Sequence, residues 1–167
     1  MRYLPLCLFV FLLACNNTPT TTQQESAPTQ STATYPAYPA DKLQFLFNNA
    51  DYIDYVFYEL PISMSLNEKP SVQYAITHIS GEPTPIVSDC KSIGRVFYQQ
   101  AGEEITSAEI YFNENKSCSY FMFYDENGKK AYVNAMAQEG INYLRKNIMQ
   151  VYNMAKQNGA AAGGGAQ

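Results

Sequence analysis

Four cysteines and one histidine carry the most distinctive chemistry in this 167-residue chain. Cys15 lies where an apolar run gives way to polar residues, in the stretch "LLACNN", and Cys7 lies inside that run. Cys90 and Cys118 stand far downstream. A thiol can carry a lipid, form a disulfide, or act as a nucleophile when a basic group lowers its pKa. Because His78 is the only histidine, we expect attachment and cross-linking from these thiols rather than catalysis.

The first fifteen residues have the build of a secretory signal peptide. Arg2 is followed by the apolar stretch "LPLCLFVFLLA", which is too short for a permanent transmembrane helix. The segment ends on Leu12, Leu13, Ala14 and Cys15. This ending resembles the lipobox of bacterial lipoproteins, in which Leu precedes a small residue and an obligatory Cys.

The resemblance implies that residues 1–14 are removed and that Cys15 carries diacylglycerol and a further fatty acyl chain. Three acyl chains hold a protein firmly to a membrane, because each buried methylene contributes about 0.8 kcal/mol. Asn16 stands where many Gram-negative lipoproteins retained at the inner membrane have Asp. We therefore expect a lipid-anchored protein of the outer membrane that faces the periplasm, with the cell surface as an alternative. Two alternative interpretations of this N-terminal segment remain: an ordinary signal peptide that contains Cys, or the apolar N-terminus of a cytosolic protein.

The cysteines that remain are Cys90 and Cys118. An even pair in an exported protein is typical of a disulfide. On the chain-entropy model, closing a loop of that size stabilises the fold by about 3–4 kcal/mol.

Composition divides the rest of the chain into a stalk, a domain and a tail. Residues 15–40 comprise the lipidated cysteine and a stretch rich in Thr, Ser, Gln and Pro, which predicts a disordered stalk. O-glycan attachment is an alternative role for it. Residues 41–157 are long enough for a single domain, and residues 158–167 predict a disordered tail. The net charge of −4 and the scattered basic residues argue against nucleic acid as a partner.

Hydrophobic patterns predict an α+β domain, in which an antiparallel sheet of about five to six strands is flanked by an N-terminal and a C-terminal helix packed on one face. Helical spacing runs over residues 41–60, where Pro61 should end the first helix, and over residues 138–157. Alternation predicts a hairpin from residues 62–67 and 72–80, and four further strands in "RVFYQQ", "EITSAEIYFN", "SCSYFMFYD" and "KAYVNAM". Both faces of "CSYFMFY" are apolar, which predicts a strand that is covered on both sides.

Tyrosines supply the candidate binding surface. If the strands pair in the simplest register, one sheet face carries Tyr98, Tyr111, Tyr120, Tyr124 and Tyr132. Tyrosine combines a flat apolar ring with a polar tip, which suits sugars, peptides and protein partners. The alternative is that these tyrosines only fill a half-buried sheet, which they favour intrinsically.

Catalytic and metal motifs are weak. His78 has Ser80, Ser88 and Asp89 nearby in sequence, but no nucleophile elbow accompanies it. One histidine and two bonded cysteines are too few for a zinc site, so we expect no metal and no cofactor. The acidic stretch "DENGKK" lacks the later ligands of a calcium loop and predicts a hairpin turn, with Asn127 and Gly128 at positive φ.

These patterns favour a membrane-anchored envelope lipoprotein that acts as a non-enzymatic binding or accessory module for an envelope protein or polysaccharide. The rival hypothesis is an envelope hydrolase that acts on glycans with a carboxylate pair, such as Glu109 and Asp125. A third is an accessory subunit or inhibitor of a larger envelope complex.

Overall fold

The computed structural model describes residues 35–60 and 62–162, which form three α-helices and a six-stranded antiparallel sheet. The helices are α1 (Ala40–Asn49), α2 (Lys69–Ile76) and α3 (Gln138–Ala162). The strands are β1 (Tyr52–Phe57), β2 (Ser63–Leu66), β3 (Ser92–Gln100), β4 (Glu103–Asn113), β5 (Cys118–Tyr124) and β6 (Lys130–Ala135). Their order across the sheet is β2-β1-β3-β4-β5-β6. This architecture confirms the predicted α+β class; the predicted signal peptide and Cys15 lie outside the described residues.

Strand β1 occupies part of the segment 41–60, for which the sequence predicts a single helix. That prediction is wrong beyond Asn49, where α1 ends. In β1 the side chains of Ile53, Tyr55 and Phe57 alternate into the core. The letters "YIDYVF" fit both a helical and an alternating period, and pairing with β3 favours the strand because aromatic and β-branched residues pack well on a pleated surface.

Helix α2 replaces the strand predicted over residues 72–80, so the predicted hairpin is wrong in its second half. Pro70 lies in the first turn of α2, where proline is tolerated. Val72, Ala75 and Ile76 are buried at helical spacing. Val72 and Ile76 are four residues apart, a spacing that fits one face of a helix and also one face of a strand. The segment therefore matches the alternating pattern of a strand as well. Strand β2 instead pairs with β1.

One face of the sheet builds the larger of two hydrophobic clusters, here called the first core. Its sheet residues include Tyr55, Val96, Ile110 and Phe123. Each helix contributes a buried side chain to the same cluster: Leu46 from α1, Val72 from α2 and Leu144 from α3.

The opposite face carries a smaller cluster, here called the second core, made of Tyr111, Tyr120, Met122 and Val133. Tyr35, and Ile86 and Cys90 from the segment before β3, pack against it. Strand β5 therefore sends Phe121 and Phe123 into the first core and Tyr120 and Met122 into the second. This confirms that β5 is covered on both faces.

Residues 35–40, which the sequence assigns to the stalk, belong to the folded domain. The Tyr38 ring is buried and stacks on Phe123 with ring centroids 4.4 Å apart. The Val133 amide donates to the Pro36 carbonyl at 2.9 Å, and the Tyr38 amide donates to Asn134 Oδ1 at 2.8 Å. The polar composition of this segment predicts disorder up to residue 40, but Tyr35 and Tyr38 provide enough apolar surface to pack against the domain.

The structure contains the predicted disulfide between Cys90 and Cys118, whose Cα atoms are 5.8 Å apart. It ties the segment that covers the second core to the first residue of β5.

Candidate binding cleft

The strand register divides the five candidate tyrosines between two faces, so the prediction of a single tyrosine surface is wrong. Tyr111 pairs with Tyr120, and their rings stack at 4.5 Å on the side of the second core, which Tyr124 shares. Paired residues share a face of the sheet, and residues an odd number of positions apart on one strand point to opposite faces. Tyr98 pairs with Thr106, which lies five positions from Tyr111 on β4. Tyr132 pairs with Phe123, the neighbour of Tyr124 on β5. Both Tyr98 and Tyr132 therefore point to the first core, where Tyr98 is fully buried.

Three of the side chains on the second face meet at one carboxylate. Glu109 Oε2 accepts hydrogen bonds from the Tyr111 hydroxyl at 2.8 Å and from Lys130 Nζ at 2.9 Å, and Oε1 accepts one from the Tyr124 hydroxyl at 2.7 Å. Lys130 Nζ also donates to the Tyr111 hydroxyl at 2.9 Å. These four residues are here called the Glu109 cluster.

The cluster holds its members in fixed charge states. Burial alone raises the pKa of Glu109, but the hydrogen bonds from Lys130, Tyr124 and Tyr111 outweigh it and lower that pKa below its usual value. Burial, together with the hydrogen bond to Glu109, raises the pKa of Tyr124 to about 12. At neutral pH the carboxylate is ionised and the tyrosine is protonated, so the cluster fixes the position of the Tyr124 ring.

Neither carboxylate of the rival acid–base pair has the raised pKa that is typical of a general acid. Asp125 Oδ1 accepts hydrogen bonds from the amides of Asn127 and Lys129 at 2.9 and 2.8 Å, and these contacts lower the Asp125 pKa. The carboxylate thereby shapes the β5–β6 turn, in which Gly128 has φ 73° while Asn127 does not have positive φ. A general acid working near neutral pH needs a raised pKa, whereas both Glu109 and Asp125 have lowered ones.

His78 is buried between the rings of Tyr74 and Tyr143, whose centroids lie 4.9 and 5.0 Å from its own. Burial lowers its pKa, and its Nε2 atom has no hydrogen-bond partner among the described residues. The Ser80 hydroxyl accepts from the Glu82 amide, and the Ser88 hydroxyl donates to Asp89. The structure therefore does not join His78 to the serines that are close to it in sequence.

A cleft of about 670 Å³ opens where β5 leaves β4. Strand β5 pairs with β4 only from Ala108 onward, and the β5–β6 pairing shifts at Phe123 and Tyr124. Among the described strands, residues 103–107 of β4 consequently pair only with β3. We call this opening the β4–β5 cleft; its walls are residues 104–107, the turn residues 125–128, and the side chains of Tyr38, Lys42, Phe45, Arg95, Tyr124 and Tyr132.

Arg95 is a cation of this cleft that has no carboxylate partner in the described part of the chain. Its guanidinium carbon lies 4.5 Å from the centroid of the Tyr124 ring and 5.7 Å from that of Phe97. It takes part in neither salt bridge found within residues 35–60 and 62–162, and its Nε atom is buried without a hydrogen-bond partner there. Glu109 stands opposite Arg95 in the register, but both of its oxygens are already bonded in the Glu109 cluster.

Of the predicted site residues, Tyr124 and Tyr132 line the cleft, whereas Tyr98, Tyr111 and Tyr120 are core residues. Sequence reasoning missed Arg95 and Lys42. The predicted strands "EITSAEIYFN" and "SCSYFMFYD" have nearly equal lengths, so the sequence offers no clear signal of an opening between them.

Within the described part of the chain, no group of three His, Cys, Asp or Glu side chains is placed to hold a metal ion. No described helix combines the length and apolar character that spanning a membrane requires. No protein-family model, curated protein or solved structure matches this chain.

Proposed function

We propose that the protein is a lipid-anchored cell-envelope module that binds its ligand in the β4–β5 cleft, without chemistry of its own. The observation that carries the proposal is the half-open edge of β4, walled by aromatic rings and by Arg95, which forms no salt bridge with any described residue. Concave sites with a few convergent polar groups are the usual location of ligand binding.

The resemblance of residues 12–15 to a lipobox supports the anchor, and Asn16 supports an outer-membrane destination. Residues 16–34 connect Cys15 to the folded domain, and a flexible chain of that length reaches roughly 25 Å. In this proposal α1 and α3 together cover the face of the sheet that builds the first core, as their residues Leu46 and Leu144 indicate. The face of the second core is then covered by the segment stapled at Cys90.

The contacts of the two candidate carboxylates favour binding over glycan hydrolysis. Glu109 holds Tyr124 in place, and Asp125 shapes the turn beside it. Both residues thus support the wall of the cleft, and their lowered pKa values keep them ionised near neutral pH.

Site-specific photocrosslinking in the cells that make the protein tests the proposal. A benzophenone amino acid replaces Phe45, which lines the cleft and is 49 % exposed. The matched control carries it in place of Tyr74, which is 52 % exposed on α2 and does not line the cleft. We expect a discrete adduct from position 45 that is absent from position 74. The same adducts from both positions, or none from position 45, would contradict the proposal.

A Cys15→Ala variant tests the anchor separately. We expect it to lose fatty acylation and to leave the membrane fraction, with the folded domain unchanged. An unmodified Cys15 in the wild-type protein, shown by intact-mass measurement, would refute the anchor while leaving the cleft untouched.

A further inference from the structure

We infer that the ligand of the β4–β5 cleft is an extended polypeptide segment, which pairs as an added strand with residues 103–107 and places a carboxylate against Arg95. This inference rests on the proposed function and deepens it.

The open edge of β4 favours a peptide backbone. Residues 103–107 are held on one side by β3, through pairs such as Gln99 with Glu104 and Phe97 with Ser107. In an antiparallel ladder, alternate residues direct their N–H and C=O groups to opposite sides. Residues 103–107 have no second partner strand among the described residues, so the side away from β3 presents main-chain groups to the cleft, and the register shift at Ile105 interrupts the strict alternation there. An added strand supplies matching groups at a separation of about 4.8 Å. Five residues of β4 span about 17 Å, which corresponds to a bound segment of similar length.

Arg95 favours a carboxylate at one position of that segment. The ring of Tyr124, fixed by its hydroxyl bond to Glu109, lies under the guanidinium and limits its orientations. A guanidinium offers donors in a planar fork that matches the two oxygens of a carboxylate.

The charges of the cleft favour a polypeptide over a polyanionic glycan. Its walls carry two cations, Lys42 and Arg95, together with the acidic residues Glu104, Asp125 and Glu126. A uniformly acidic polysaccharide would meet repulsion from the acidic wall. A peptide can present an acidic side chain to Arg95 and basic or neutral side chains to Glu104 and Glu126.

The test uses the full-length lipidated protein in detergent micelles, screened against a displayed library of random linear heptapeptides and an array of neutral and uronic-acid glycans. We expect selected peptides to share one Asp or Glu position. Arg95→Gln should weaken binding of a selected peptide about tenfold to hundredfold, the size expected for a charge-assisted hydrogen-bonded pair. The matched control is Arg145→Gln, whose side chain pairs with Glu114 on the surface; it should bind as the wild type does.

Synthetic peptides with single backbone N-methyl groups report strand addition without altering the protein. Because only some residues of an added strand donate to β4, we expect N-methylation to abolish binding at those positions and to leave it intact at the positions between them, with the two-residue spacing broken opposite the register shift at Ile105. Equal loss at every position, or binding unaffected by Arg95→Gln, would overturn the inference. Binding of glycans but of no peptide would also overturn it and leave the proposed function standing. Binding of neither would overturn both.

Discussion

The Glu109 cluster provides a sharp test of how the cleft wall is held, through the variant Glu109→Gln. Glu109 accepts three hydrogen bonds of 2.7–2.9 Å from Tyr111, Tyr124 and Lys130. Hydrogen bonds to a charged group contribute about 1.5–3 kcal/mol each. The amide oxygen of Gln keeps part of this capacity, and the Lys130 side chain, 41 % exposed, can regain water. We therefore expect the free energy of unfolding to fall by about 1–3 kcal/mol.

Urea denaturation followed by circular dichroism at pH 7 measures this loss, with Glu103→Gln at an exposed position of β4 as the control. The control should stay within about 0.5 kcal/mol of the wild type. Adding Tyr124→Phe to Glu109→Gln should cost less than the sum of the single changes, because the two side chains share a bond. Equal stability of Glu109→Gln and Glu103→Gln would refute the reasoning.

The same variant has a defined pH dependence. The folded-state pKa of Glu109 lies below its ordinary value of 4.5. Its stabilisation is therefore fully present above pH 4.5 and is lost as the pH falls through the lowered, folded-state pKa. We expect the stability difference between wild type and Glu109→Gln to be constant from about pH 7 to 5 and to shrink below 4.5; a difference that grows with acid would contradict this assignment.

Three further predictions concern the rest of the fold. Gly140→Ala should lower the free energy of unfolding by about 1–3 kcal/mol in urea, because its Cβ would lie 2.7 Å from that of His78, whereas Gly81→Ala, with nothing within 4 Å, should not. Reducing the Cys90–Cys118 disulfide should lower the thermal midpoint, since a loop of this size contributes about 3–4 kcal/mol; an unchanged midpoint would contradict that contribution. Burial lowers the pKa of His78 in the folded state below the ordinary value of 6.5, so the unfolded chain takes up a proton first and the free energy of unfolding falls as the pH drops below 6.5. His78→Phe should therefore flatten the dependence of that free energy on pH between pH 6.5 and 5. An unaltered dependence would refute this role.

The sequence predicts correctly those helices and strands in which the spacing of apolar residues fits only one type of secondary structure. The short runs between turn residues predict β3, β4 and β6, and β5 is predicted as a strand that is apolar on both faces. The last helix has a steady helical stripe, and elimination among four cysteines leaves Cys90 and Cys118 to pair. The sequence predicts a helix where β1 forms and a strand where α2 forms. In both segments the apolar residues fit the helical period of 3.6 residues as well as the strand period of two. Partners distant in sequence decide such cases, here the pairing of β1 with β3 and the packing of Val72 in the first core.

The cleft depends on features that composition does not encode. Whether Tyr98 shares a face with Tyr111 depends on which residues pair, and a shift of one position reverses the answer. The opening itself arises from unequal strand lengths and a register shift at Tyr124. Arg95 becomes notable only when the structure shows that Glu109, its neighbour across the strands, is already bonded elsewhere.

Hydrogen–deuterium exchange of the full-length protein tests the central claim most directly. Exchange is followed by mass spectrometry with and without solubilised envelope from the cells that produce the protein. We predict that amides within residues 103–107 exchange more slowly when envelope is present, while those of α2 do not change. Unchanged exchange at residues 103–107, or slowing confined to other segments, would contradict a binding site at the open edge of β4.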